Sequence, residues 1–191
     1  MNIRTINYLL VFVTLLLPAR LCAQEYVPDD KGCKVDFHVT NHKKGEQVIR
    51  GSLHDVKGKI VFDPKHLNTA SFDITVAPGS VNTGVAEIDK ALKNQTYFNP
   101  AKYTTIRIKS TSVNQDGSGG PVYMLHGDLT MKGITKPVNI QFMVWPAGAG
   151  YKFRGSLELS RQAFGIGNKD DGIDDHVSVF IEVKANKAAG H

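Results

Sequence analysis

Short segments along most of the chain alternate apolar and polar residues. Residues 72–76, 138–144 and 177–183 each carry apolar side chains at every second position, with mostly polar side chains between them. A period of two places all the apolar side chains on one face of a strand, which is typical of half-buried antiparallel strands. The pattern therefore predicts an all-β protein.

Eight such strands are predicted after residue 30, and short loops rich in glycine join several of them. The second strand is long, and we expect Gly51 and Gly58 to bend it rather than break it. Closing the sheet removes its exposed edges. The predicted fold is therefore an all-β, eight-stranded antiparallel barrel. Its strands span residues 34–40, 48–62, 71–77, 104–112, 122–131, 137–146, 151–160 and 176–184.

The alternation stops between residues 77 and 104. Val85, Ile88, Ala91 and Leu92 recur there at helical spacing, and charged residues occupy the opposite side. This spacing predicts one short amphipathic helix near residues 85–94. We expect the helix to cross the barrel and to cover one of its mouths.

The first 23 residues follow a different pattern. Arg4 precedes an apolar run over residues 8–17 that is too short to span a bilayer as a helix, and a small-residue processing site follows at residues 21–23. We interpret residues 1–23 as a signal peptide and residues 24–191 as a single domain, periplasmic or secreted. The alternative is a lipoprotein modified at Cys22. It would need a small residue just before that cysteine and an aliphatic residue two places earlier, but this chain has Leu21, Arg20 and Ala19 there.

Charge argues against a nucleic-acid partner. The formal charge of the whole chain is +5, and loss of Arg4 and Arg20 with the leader lowers it by two. The remaining basic residues alternate with apolar ones, as on a solvated strand face, rather than forming a patch. Transient contact with a membrane surface stays open as an alternative, and the sequence does not indicate an oligomeric state.

No motif for catalysis, nucleotide binding or metal binding is present at a recognisable spacing. Residues 168–176 form an acidic loop that ends in His176, but the spacing does not match a calcium-binding loop. We expect no enzymatic activity, no metal and no cofactor. A secreted hydrolase that uses the acidic loop is the less favoured alternative.

The function depends on whether the interior of the barrel is filled by side chains or contains a cavity. An eight-stranded barrel is at the size where side chains either fill it or leave room for one small ligand. Large and small residues both occur on the inward stripe, and this pattern fits a cavity and a filled core equally well. A filled core would indicate a structural or partner-binding barrel. The candidates for residues that line the lumen are Phe37, Phe72, Ile74, Ile106, Leu125, Leu129, Phe142, Phe153, Leu157 and Val179.

Several blocks of sequence resemble the YceI-like family of lipocalin-like polyisoprenoid-binding proteins in both order and spacing. The most specific are Gly-Asp-Leu-Thr at residues 127–130 and Gly-Ile-Thr-Lys-Pro-Val at residues 133–138. The resemblance implies a lipocalin-like barrel, exported by a bacterium, whose apolar interior holds a long-chain isoprenoid or another lipid tail, such as that of a quinone or fatty-acid derivative. The other matching blocks are residues 55–63, 71–76, 81–84, 97–103 and 161–167.

The chain departs from the family pattern in the predicted helix. The family usually carries an Arg and a His where this chain has Ile88 and Ala91. The resemblance therefore implies binding of the tail more firmly than recognition of a lipid head group.

Overall fold

A computed structural model describes residues 24–29, 31–117 and 120–188. Ten strands form one antiparallel sheet, and one short α-helix, α1, covers Ala86–Leu92. The predicted signal peptide, residues 1–23, lies outside the described residues. The strands are β1 Glu25–Pro28, β2 Lys34–Asn41, β3 Gln47–Leu53, β4 Lys57–Val61, β5 Ser71–Val76, β6 Ile106–Gln115, β7 Val122–Met131, β8 Ile134–Ala147, β9 Gly150–Ser160 and β10 His176–Lys187.

The sheet closes through its first and last strands. β1 pairs with β4 on one edge, where Tyr26 lies opposite Ile60, and with β10 on the other, where Tyr26 lies opposite Lys187. The N-terminal part of β10 pairs with β2 instead, and β2 pairs with β3. β1 and β2 thus act as one interrupted strand, and β3 and β4 as another. The prediction of an eight-stranded antiparallel barrel with one helix is confirmed.

The predicted unbroken strand over residues 48–62 is wrong. It divides into β3 and β4 because Asp55 has a φ of 57°, in the left-handed region that a strand does not use. Gly58 has a different role from the predicted bend. Its φ is 135°, and a side chain there would collide with the backbone carbonyl of Asp73 on β5. Gly58 therefore permits close pairing of β4 with β5.

The loop after β9 is fixed by Arg161, the one charged residue that is fully buried among those described, at 4% exposure. The guanidinium donates two hydrogen bonds to Asp171, at 2.7 and 2.9 Å, and others to the backbone carbonyl oxygens of Ile166, Ile173 and Asp174. A buried cation is tolerated when it is paired with an anion and its donors are hydrogen-bonded, as they are here. Arg161 therefore holds residues 161–175 against the end of the barrel.

Asp171 completes this arrangement. Burial alone would raise the pKa of its carboxyl group, but hydrogen bonds from the Ile173 and Asn168 N–H groups and from Arg161 outweigh burial and lower the pKa below the ordinary 3.8. The loop that Arg161 and Asp171 organise is thus a structural feature of the barrel end.

All the helices among the described residues are too short to span a lipid bilayer.

We predict that Asp171→Asn lowers the free energy of unfolding near neutral pH by about 1–3 kcal/mol, because the change leaves buried guanidinium donors without a full set of acceptors. The carboxylate stabilises the fold above the ordinary carboxyl pKa, and this contribution is lost as the pH falls through the lower pKa of the folded protein. Denaturant unfolding across the acid range should therefore show a flatter pH dependence in the variant.

The matched control is Asp128→Asn, which changes an exposed carboxylate on β7. It should leave the free energy of unfolding near neutral pH within about 0.5 kcal/mol of the parent value. Equal effects of the two substitutions would contradict the assigned role of Asp171.

Candidate functional site

A cavity of about 400 Å³ occupies one half of the barrel interior. Its walls come from inward positions of β2, β3, β5–β10, from α1 and from the loop that Arg161 holds. Apart from Thr75, Glu87, Tyr97 and Arg161, all the lining residues are apolar. They are Val35, Phe37, Val39, Ile49, Leu53, Val56, Ile74, Val76, Ile88, Ala91, Leu92, Phe98, Ile106, Ile108, Leu129, Met131, Ile140, Leu157, Leu159, Ile166, Ile173, Val177, Val179, Ile181 and Val183.

Many inward side chains on these walls are incompletely covered. Ile74, Ile106, Leu157 and Val179 all point into the barrel but are only half-buried. An inward position in a filled core would be closed off from solvent by its neighbours. The half-burial therefore reflects interior space that the side chains leave open.

Aromatic rings fill the other half of the interior. Phe72 of β5, Phe142 of β8 and Phe153 of β9 are in mutual contact, with ring centroids 5.5–6.3 Å apart. We call these three residues the aromatic floor, because they border the cavity: Phe72 lies two residues from Ile74 and Phe142 two residues from Ile140, and both isoleucines line the cavity wall. The rings of Phe62 and Tyr123 pack against the floor, at centroid distances of 5.3–6.3 Å.

Helix α1 lies at the mouth of the cavity. Ile88, Ala91 and Leu92 face the cavity, and Ala91 is also exposed to solvent, so the opening runs past the helix. Asp89 fixes the helix by accepting hydrogen bonds of 2.7 Å from the backbone N–H and the hydroxyl group of Thr83. The helix therefore forms part of the cavity wall, to which Ile88 and Ala91 present an apolar surface.

The polar lining groups are few, and three of them are already bonded. The Thr75 hydroxyl donates to the Lys57 carbonyl oxygen at 3.5 Å. The Tyr97 hydroxyl donates to Asp171 at 3.1 Å, while burial and the negative charge of Asp171 raise its pKa. The Arg161 guanidinium is committed to Asp171 and to backbone carbonyl groups. Glu87 is exposed at the mouth. The cavity is therefore suited to an apolar guest held by burial rather than by a polar network.

The residues predicted to line the lumen fall into two groups. Six lie on the cavity wall: Phe37, Ile74, Ile106, Leu129, Leu157 and Val179. Four point inward but pack in the filled half: Phe72, Leu125, Phe142 and Phe153. Inward orientation is visible in the alternation of each strand, whereas the level of a residue along the barrel depends on strand register.

Sequence reasoning missed Arg161 and the loop that it anchors. The acidic loop at residues 168–176 contains three bonded carboxylates: Asp171 pairs with Arg161, Asp174 accepts from the His176 N–H, and Asp175 accepts from the Ser160 hydroxyl and the Gln162 N–H. Gly167 was a usable signal, because a side chain there would collide with the guanidinium. Within the described residues, no three His, Cys, Asp or Glu side chains group as a metal site requires.

Comparison with solved structures supports the architecture. The crystal structure of Burkholderia cenocepacia BcnA superposes with a TM-score of 0.73 at 22% identity, covering 82% of this chain and 98% of that one. A Saccharophagus degradans domain described as a polyisoprenoid binding domain gives a TM-score of 0.64 at 14% identity, over 85% of this chain and 98% of its own. At these identities the likeness is one of fold.

Sequence comparison identifies the family. A UPF0312 protein of Shewanella denitrificans is 32% identical over 163 residues, which cover 82% of this chain and 84% of the relative. A UPF0312 protein of Pseudomonas fluorescens is 30% identical over 197 residues, which cover 95% and 98%. The family model described as YceI-like domain matches residues 26–185. With the closed barrel and its half-filled interior, this match places the chain in the YceI-like family.

Proposed function

We propose that the protein binds a lipid by enclosing its apolar tail in the barrel cavity. The observation that carries the proposal is a cavity of about 400 Å³ whose wall is apolar almost throughout. Ligand sites are typically concave spaces of this size with mainly hydrophobic walls and a few polar groups. The exposed position of Glu87 and Ala91 at the mouth gives a head group access to solvent while the tail is buried.

Burial of a tail supplies enough free energy for stable binding. Each buried methylene group contributes roughly 0.8 kcal/mol, so a ten-carbon tail gains about 8 kcal/mol before the cost of ordering the ligand. Affinity then depends mainly on the number of buried carbons. No polar recognition of a particular head group is needed.

The chemical class proposed for the ligand is an isoprenoid or a related tail, such as that of a quinone or a fatty-acid derivative. The polyisoprenoid-binding description of the Saccharophagus degradans neighbour supports this choice, since both proteins share the barrel. We propose a role in transport or storage without catalysis. The cavity wall supports this too, since its Tyr97 and Arg161 side chains are both engaged with Asp171.

We predict that Ile108→Gln weakens binding of farnesol by about 5-fold to 100-fold, because it removes an apolar contact and places an amide in a dry pocket. Ile108 lies on the cavity wall, and its neighbour Lys109 is exposed on the outer face of β6. Lys109→Gln introduces the same side chain outside the barrel and should leave the affinity unchanged. Isothermal titration calorimetry measures both.

Thermal unfolding of the two variants must first show that each is folded. If farnesol and straight-chain alcohols do not bind the unmodified protein at all, tail binding is refuted and a structural barrel becomes the better account. Equal losses in the two variants would place the site outside the cavity.

We also propose export, with cleavage before Gln24, on the basis of the apolar run and the processing site in residues 1–23. The intact mass of the protein recovered from its native cells should correspond to residues 24–191. A diacylglycerol adduct on Cys22 would instead identify a lipoprotein.

A further inference from the structure

We propose that the aromatic floor sets the maximum length of tail that the protein buries. This inference rests on the proposed function and adds to it the size of the buried part of the ligand. Phe72, Phe142 and Phe153 act as the specificity-determining residues. A tail that enters past α1 reaches these rings and stops there.

The floor spans the barrel. Its three rings come from β5, β8 and β9, so the side chains meet from different parts of the wall rather than from one neighbouring pair. Phe72 contacts both Phe142 and Phe153 at centroid distances of 5.5 Å, with interplanar angles of 67° and 88°. These are edge-to-face contacts, the arrangement that aromatic pairs favour.

A second layer supports the floor from below. The Phe62 ring is 1% exposed and contacts Phe153 at 5.5 Å, Tyr123 at 5.3 Å and Tyr151 at 5.6 Å. The Tyr123 ring stacks on Phe142 at 5.4 Å with an interplanar angle of 26°. Displacing a floor ring would therefore disturb several other rings, and a tail gains less from doing so than from leaving its excess length outside.

The cavity has a finite volume of about 400 Å³, and the floor closes its end away from α1. Each added methylene group needs further space, so the tail is buried only up to a limiting number of carbons. Carbons beyond this number lie at the mouth near Glu87 and contribute little.

The test is a series of primary alkanols from about 8 to about 22 carbons, with displacement of N-phenyl-1-naphthylamine fluorescence as the readout. Affinity should rise about fourfold per carbon up to a limiting length within this series and then level off. Isoprenoid alcohols of two, three and four prenyl units should follow the same limit. All ligands are used below the concentration at which they aggregate.

Two substitutions should move the limit in opposite directions. Phe72→Ala removes a floor ring next to the cavity residue Ile74, and the limit should rise by about four carbons. Leu157→Phe replaces an aliphatic side chain on the cavity wall with a larger ring, and the limit should fall by about one carbon. Because the shifts have opposite signs, a general loss of stability cannot produce both, and Leu157→Phe decides the question if Phe72→Ala fails to fold.

Phe180→Ala is the matched control, since it removes the same ring from the outer face of β10, where Phe180 is 44% exposed. In this variant, the number of carbons at which affinity levels off should equal that of the parent protein. If affinity rises steadily through the longest alkanols, or if neither cavity variant moves the limit, the length-setting role of the floor is wrong while tail binding stands. Absence of binding at every length refutes the proposed function itself.

Discussion

The closed ring of eight strands encloses a fixed interior volume, and the properties of this protein depend on how that volume is filled. Edge-to-face packing of Phe62, Phe72, Phe142 and Phe153 fills one half with large rings in mutual contact. The other half is lined by aliphatic side chains that do not reach across the barrel. The same sheet thus carries a packed core, which stabilises it, and a cavity, which can accept a guest.

Two polar arrangements organise the end of the cavity opposite the aromatic floor, where the Gly167 N–H of the Arg161 loop donates to the Thr96 carbonyl oxygen after α1. In the loop, the buried ion pair of Arg161 and Asp171 holds Ile166 and Ile173 against the cavity. At the mouth, Asp89 fixes a short helix that presents Ile88 and Leu92 inward. The polar groups of both arrangements thus bond to other groups of the protein, and the surface left for a ligand is apolar. The protein can therefore recognise a ligand by burying its tail.

The period-two pattern predicted most of the fold because it reports directly which face of a strand is buried. It could not locate the break at Asp55, since left-handed backbone at a single polar residue leaves no periodic signal. It also missed β1, whose four residues are too few to show alternation and are held by pairing on both edges. The helix was visible because its apolar spacing differs from that of the strands.

The site was predictable in part. Inward orientation of Leu157 and Phe142 could be deduced from alternation, but their separation into cavity wall and packed core could not, because it depends on strand register and ring volume. Arg161 was missed because one buried cation has no periodicity, and its partner Asp171 is one of four aspartates in the loop that the sequence pattern does not distinguish.

The central claim is that a lipid tail occupies the aliphatic half of the barrel. Nuclear Overhauser effects between the chain protons of bound dodecanol and the protein methyl groups test it most directly. The account predicts contacts from the tail to the methyl groups of Ile74, Leu157 and Val179, and none to Val144, which packs in the filled half. Contacts to methyl groups of the outer face alone, with none to the cavity wall, would contradict it.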